Sequence, residues 1–328
     1  MTEELALASF AAATESHLVT EPRSARFTRF KASFDTAAEL RRLAEQGFGF
    51  SGRSDGSFPA LLRAIHDPPP GLFLRGVGAV ELLSRPAVAI VGARACSPYG
   101  RQVARRLGRE LAAAGLAVVS GLARGVDGEA HRGALEANGL TIAVLGCGID
   151  RDYPAAHRPL AREIAESGLI VSEYAPGVEP APWRFPARNR IVAGLCAATV
   201  VVEARERSGA LITADLALEE GREVFAVPGE ITSALSAGSN ALLRLGATPC
   251  TGSADVLESY GLAPLEEAAL DLGSAAAAVL ERVREAASGA DELARATGLA
   301  AGELAGILTE LELAGAVTTE EGIIRAAR

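Results

Sequence analysis

Six short apolar runs, spaced by helix-length segments, dominate the middle of this chain: Ala87 to Val91, Ala117 to Val119, Thr141 to Leu145, Leu169 to Val171, Thr199 to Val202 and Glu223 to Val227. Strands alternating with helices pair in parallel, because each crossover returns the chain to the same end of the sheet. The runs are apolar at nearly every position rather than every second one, as strands covered by helices on both faces are. The expected fold is α/β, a doubly wound, mostly parallel sheet. Each run ends in small or polar residues (Gly92-Ala93-Arg94, Ser120-Gly121, Gly146-Cys147-Gly148), at the end where open α/β sheets place their ligand loops.

The flanks read differently. Residues 1–60 mix short helical patterns such as Thr36 to Gln46 with Arg23, Arg26 and Arg29, which suits a small helical domain. Phe58 to Gly76 holds Asp67-Pro68-Pro69-Pro70 and reads as an irregular linker. After Gly261 an acidic linker precedes three helical patterns, Ala275 to Ala287, Asp291 to Thr297 and Ala301 to Leu313, and a hairpin candidate, Val317 to Ile324. This is the outline of a winged helix over residues 271–328. The expected domains are thus 1–60, 61–262 and 271–328. No stretch approaches the roughly 20 apolar residues of a membrane span, and Met1 to Phe10 carry acids where a signal peptide carries bases, so a cytoplasmic protein is expected. The four cysteines are far apart with no CxxC pair or matching histidines, so no metal site is expected.

The net charge of -9 conceals an uneven distribution. Residues 84–200 carry 14 basic against 10 acidic groups, whereas residues 201–328 carry 9 against 21. A polyanion site therefore belongs in the middle segment. The third helical pattern at the C-terminus carries Glu303, Glu310 and Glu312 and no base, which opposes docking among phosphates.

Enzymatic signatures are weak. There is no GxxxxGK[ST], the first turn Gly92 to Gly100 is not GxGxxG, and the second run ends at Ser120 rather than at an acid for a ribose. Asp127 and His131 stand four apart on a helix, but no nucleophile accompanies them, so a cap and a packed histidine are the simpler reading. Neither catalytic residues nor a cofactor are expected. What remains is arginines and small residues at strand ends. Arg94 should project above the sheet toward a phosphate or a loop acid. Gly92, Ser120 and Gly121 either admit a nucleic-acid backbone or make ordinary tight turns. In Trp183-Arg184-Phe185-Pro186-Ala187-Arg188-Asn189-Arg190, Pro186 can open a helix and put both later arginines in its first turn, where the helix dipole disfavours cations unless an anion joins them. Phe185 and Trp183 offer a stacking surface for an unpaired base. Ser208 and Gly209 open a further helix as an anion nest, with Arg205 and Arg207 nearby. Arg94 and Arg188 are both expected at the surface.

Together, Val91-Gly92-Ala93-Arg94, Ser120-Gly121-Leu122-Ala123-Arg124-Gly125-Val126-Asp127, Phe185-Pro186-Ala187-Arg188-Asn189-Arg190, Ser208-Gly209-Ala210-Leu211-Ile212-Thr213 and Val227-Pro228-Gly229 with Gly238-Ser239-Asn240 resemble the DNA-processing protein A (DprA/Smf) family in order and spacing. The resemblance covers about Phe58 to Ala247. It implies an extended Rossmann-like domain that binds single-stranded DNA, dimerises and loads the RecA recombinase onto incoming DNA in natural transformation. The implied DNA-binding residues are Gly92, Arg94, Ser120, Gly121, Arg124, Phe185, Arg188, Asn189, Arg190, Ser208 and Gly209. It also implies a sterile-alpha-motif-like N-terminal domain, although residues 1–60 lack a clear helix-hairpin-helix signature. The rival reading is a phosphoribohydrolase-like nucleotide-processing enzyme, whose PGGxGT loop is replaced here by Pro228-Gly229-Glu230-Ile231-Thr232.

Overall fold

A computed structural model describes residues 2–14, 24–77, 80–263, 273–320 and 322–326, so Arg23 and most of the acidic linker lie outside the described residues. Internal contacts group the chain into two units, 1–265 and 266–328. The first runs α1 (Thr2–Thr14), α2 (Ala25–Ser33), α3 (Thr36–Glu45), β1 (Phe48–Gly52), α4 (Ala60–Arg63), β2 (Gly71–Gly76), β3 (Ala87–Val91), α5 (Pro98–Ala113), β4 (Ala117–Ser120), α6 (Val126–Glu136), β5 (Thr141–Leu145), α7 (Arg158–Ser167), β6 (Leu169–Ser172), α8 (Arg184–Gly194), β7 (Ala198–Val201), α9 (Gly209–Glu219), β8 (Glu223–Ala226), α10 (Ala237–Arg244), β9 (Thr248–Pro249) and α11 (Ser253–Ser259).

All six apolar runs are strands of one sheet, ordered β1-β2-β6-β5-β4-β3-β7-β8-β9. From β3 through β9 the neighbours are parallel. Their uniform apolarity has the expected cause. Along β3, Ala87, Ala89 and Val91 enter one core with α8 and α9, while Val88 and Ile90 enter another with α5, α6 and α11. The sheet grows from β3 in both directions, through β4 on one side and β7 on the other. Loops leaving those neighbours diverge, and a crevice opens above their C-terminal ends.

Phe58 to Gly76 departs from the linker expectation, since it supplies β2, antiparallel to both β1 and β6. Leu72 and Phe73 are fully buried, and Phe50 packs on Phe73 at 5.0 Å between ring centroids. Glycines that resemble linker punctuation here permit close pairing: a Cβ on Gly71 would stand 2.3 Å from the Phe50 ring. Leu5 of α1 and Leu43 of α3 share a core with Phe73, Leu145 and Leu160.

The second unit comprises α12 (Ser274–Glu285), β10 (Ser288–Gly289), α13 (Ala290–Thr297), α14 (Ala301–Leu313), β11 (Val317–Glu320) and β12 (Ile323–Ala326), with strand order β10-β12-β11. Gly298 ends α13 in the left-handed region at φ 70°, the conformation glycine adopts without penalty. Val279, Leu293, Leu304, Leu311 and Ile324 form the core, while Glu303, Glu310 and Glu312 of α14 are exposed. Among the described residues no helix is long and apolar enough to cross a membrane.

Candidate nucleic-acid interface

The crevice is an open cavity of about 430 Å³, lined by the loops after β3, β4 and β7 and by α8. Of the eleven residues expected there, Gly92, Arg94, Gly121, Phe185, Arg188, Asn189, Ser208 and Gly209 line it, whereas Ser120, Arg124 and Arg190 do not. At Gly92 and Gly121 the space a side chain would take is filled by protein groups. A Cβ on Gly92 would stand 2.6 Å from a Val126 methyl, and one on Gly121 would stand 2.3 Å from Arg188 Nη2.

Arg188 corrects the expectation of a surface group, being only 5 % exposed. Helix α8 begins at Arg184, two residues before Pro186, so Arg188 occupies its second turn and points inward. The dipole argument therefore does not apply to it. Arg184 takes the first turn, held between Tyr174 and Trp183 at 5.3 and 4.8 Å from their ring centroids and donating to the Glu179 carbonyl. Arg188 donates through Nε to Asn189 Oδ1 at 3.1 Å and through Nη1 to the carbonyls of Gly121, at 2.8 Å, and Val144. These acceptors fix the guanidinium plane, and Nη2 keeps its donors without an acceptor among the described residues. Burial pushes the Arg188 pKa down, and the nearby Asp127 carboxylate opposes that.

Asp127 and His131 share α6 but make separate hydrogen bonds. Asp127 Oδ2 accepts the N–H groups of Gly121 and Ala123 at 3.1 and 3.3 Å. Burial raises the Asp127 pKa against the pull of Arg188 and of these donors. His131 Nδ1 instead meets Thr141 Oγ1 at 2.7 Å, and burial holds its pKa down at about 3. The Thr141 hydroxyl already donates to Val118 O, so the imidazole is the donor between them.

Arg94 behaves in the opposite way to Arg188. It is exposed on the loop after β3, with its guanidinium carbon 5.3 Å from the centroid of Phe185. Phe185 in turn stacks with Tyr153, centroids 5.3 Å apart and planes 24° from parallel. Tyr153 lines the cavity and is 43 % exposed, yet no sequence pattern points to it, because it lies 32 residues upstream of Phe185. Trp183, expected beside Phe185 as part of the stacking surface, stands at the N-cap position of α8 without a side-chain cap and is absent from the lining. On the far wall Ser208 caps α9, accepting the Ala210 N–H at 3.3 Å, and Asn189 Nδ2 donates to the Gly209 carbonyl at 3.2 Å.

The three residues outside the lining have other surroundings. Ser120 is buried and donates to Ile90 O at 2.7 Å, tying β4 to β3. Arg190 pairs with buried Glu173 at 2.6 Å and with Asp67 at 3.0 Å, so two carboxylates already neutralise it. Arg124 is exposed at the tip of the loop after β4. That loop abuts the one bearing Arg94, since a Cβ on Gly125 would stand 2.3 Å from Ala93 O. The Val227-Pro228-Gly229 and Gly238-Ser239-Asn240 segments form a clamp, in which the Asn240 amide bonds both backbone groups of Gly229 and Gly238 N–H donates to Ala204 O. The four cysteines are buried and unpaired, and among the described residues no cluster of His, Cys, Asp or Glu is placed to share a metal ion.

Comparison with known proteins agrees with this architecture. Residues 50–261 match the family model of DNA recombination-mediator protein A, and residues 263–322 match that of the DprA winged helix domain. The DNA processing protein DprA of Streptococcus pneumoniae is 46 % identical over 206 residues, which cover 63 % of this chain and 72 % of that protein. Its X-ray structure superposes with a TM-score of 0.67 at 39 % identity, covering 79 % of this chain and 93 % of that one. DNA processing protein A of Helicobacter pylori, whose single-stranded DNA binding mode has been described, superposes with a TM-score of 0.58 at 34 % identity, covering 64 % of this chain and 95 % of that one. With both of its units matched in order, this chain belongs to the DNA-processing protein A (DprA/Smf) family.

Proposed function

We propose that the crevice binds single-stranded DNA and that the protein acts by holding the strand rather than by transforming it. The observation that carries this is the pairing of a locked guanidinium, Arg188, with an exposed one, Arg94, in one open cavity beside the Phe185–Tyr153 stack. Arginine beside aromatic faces suits a phosphodiester whose neighbouring base is unpaired, because a duplex keeps its base faces covered. The N-terminus of α9, with Ser208 and Gly209, supplies a further anion-facing wall. Arg124 flanks the site from the loop after β4, and Arg190, already neutralised, supports α8 from behind. Segment 61–262 makes the DNA contacts in this reading, with 1–60 and 271–328 as accessory modules. The family resemblance further supports loading of the RecA recombinase and a homodimer formed through the first unit, in the cytoplasm during natural transformation.

A fluorescence-anisotropy titration with an oligo-dT strand, its duplex and a mononucleotide competitor tests the reading. Single strands should bind more tightly than duplex, and the mononucleotide should compete poorly. Equal binding of duplex defeats single-strand selectivity, and efficient displacement by a mononucleotide favours the nucleotide-processing enzyme.

A further inference from the structure

The loop after β4 has every polar backbone group from Gly121 N to Ala123 N engaged except one, and three side chains from three elements do the holding. Asp127 accepts the N–H groups of Gly121 and Ala123, and Arg188 donates to Gly121 O. The middle carbonyl, Leu122 O, is met by His157 Nδ1 at 3.0 Å. Leu122 needs this help. Its φ is +58°, a left-handed conformation that clashes for residues with a Cβ, while its side chain is fully buried beside Leu145 and Leu160 and cannot swing out. His157 reaches the carbonyl over Gly128 of α6, where a Cβ would stand 2.6 Å from the imidazole Cε1. His157 does not line the cavity.

We infer that His157 is a positioning residue for DNA binding: by donating to Leu122 O it holds the left-handed turn that presents Gly121 O to Arg188, and so fixes the guanidinium in the cavity. A carbonyl only accepts, so the imidazole must carry its proton on Nδ1. Without that donor the turn relaxes, Gly121 O rotates away, and Arg188 loses one of the three acceptors that orient its free Nη2. The inference rests on the reading of the crevice as a single-strand site. It differs from a packing role in being specific to one nitrogen of one ring.

The shapes of two amides make the test. Asparagine can place its N–H where Nδ1–H stands, whereas glutamine reaches the Nε2 position. His157→Asn should therefore bind oligo-dT within about twofold of the parent. His157→Gln should bind about tenfold more weakly, as for one missing hydrogen bond, with the salt slope reduced by up to about 0.7 as Arg188 meets its phosphate less well. A packing role would lower the melting temperature of the glutamine variant and leave its salt slope unchanged, which overturns the inference. So does an asparagine variant as weak as the glutamine one. Should His157→Gln fail to fold, long-range ¹H–¹⁵N NMR of the parent must still find the Nδ1–H tautomer and His157→Asn must still bind; an Nε2–H tautomer overturns the inference. Failure of the unaltered protein to bind oligo-dT would defeat the functional reading itself, a separate outcome.

Discussion

The C-terminal edge of the large sheet and helix α14 of the second unit invite opposite conclusions from shape and from charge. Helix α14 has the outline of a recognition helix, yet it exposes Glu303, Glu310 and Glu312, and residues 271–328 hold 5 basic against 10 acidic groups. The loops at the sheet edge, by contrast, expose Arg94, Arg124, Arg205 and Arg207. None of these four forms an ion pair among the described residues, unlike Arg105 and Arg106 of α5, which are matched by Glu136 and Glu110. On the single-strand reading, affinity for a phosphate chain should follow cations left without an ion-pair partner at an open edge, rather than the number of arginines or the outline of a helix. The comparison breaks if altering the edge leaves DNA binding unchanged, or if removing the acidic unit abolishes it.

Arg188 should give the largest effect, because it serves both the fold and the site. Arg188→Ala removes a buried cation and leaves three acceptors and the Asp127 carboxylate without it, which should cost about 3–5 kcal/mol of stability. Arg188→Lys is the cleaner probe of binding. It keeps the charge but cannot reach the carbonyls of Gly121 and Val144 and Asn189 Oδ1 in one plane. Thermal melts should separate the two variants, and anisotropy should find single-strand binding reduced in both. An alanine variant that melts like the parent would show that the guanidinium is not locked.

Arg94→Ala should leave the melting temperature unchanged, since the side chain is exposed and has no ion pair to lose. Single-strand affinity should fall about tenfold, with the salt slope reduced by about 0.7 because one phosphate is no longer neutralised. An unchanged slope would move the phosphate elsewhere on the edge.

The contrast between these two arginines also marks where sequence stops being informative. The strands are legible because burial on both faces makes them apolar throughout, and the chain order brings Gly92, Gly121, Phe185 and Ser208 to one end of the sheet. The fate of an individual arginine is not legible. Arg188 and Arg190 stand two positions apart, but helical geometry sends one to the cavity floor and the other to Glu173 and Asp67. Burial of Arg188 depends on the start of α8 at Arg184, fixed by the Tyr174–Arg184–Trp183 stack rather than by Pro186. Tyr153 and His157 escape a sequence reading because no local pattern announces a partner about 30 positions away. β1 and β2 escape it because their glycines, needed for close pairing, resemble punctuation.

Phe185→Ala should cost about 1–3 kcal/mol in single-strand binding, the usual value of one base stacked on an aromatic ring, with little change in salt slope because stacking releases no counterions. Salt titrations of the variant check this. A steep fall in slope would mean that the ring chiefly steadies Arg94, whose guanidinium lies 5.3 Å from it.

The smallest effect should come from removing the second unit. Residues 271–328 carry twice as many acids as bases, and α14 uses Leu304 and Leu311 for its own core while turning its glutamates to solvent. A surface of that sign repels a phosphate chain at short range and is screened beyond about 10 Å at 0.1 M salt. Truncation after Gly261 should therefore leave single-strand affinity within about threefold at matched salt, and any change at low salt should be a gain. The described residues that line the cavity all belong to the first unit, so the truncated protein retains every group assigned to it. Circular dichroism and sedimentation must show that the fold and the oligomeric state survive before affinities are compared. If affinity then falls tenfold or more, α14 or its neighbours touch the strand despite their charge, and the rule drawn from comparing the two regions is wrong for this protein.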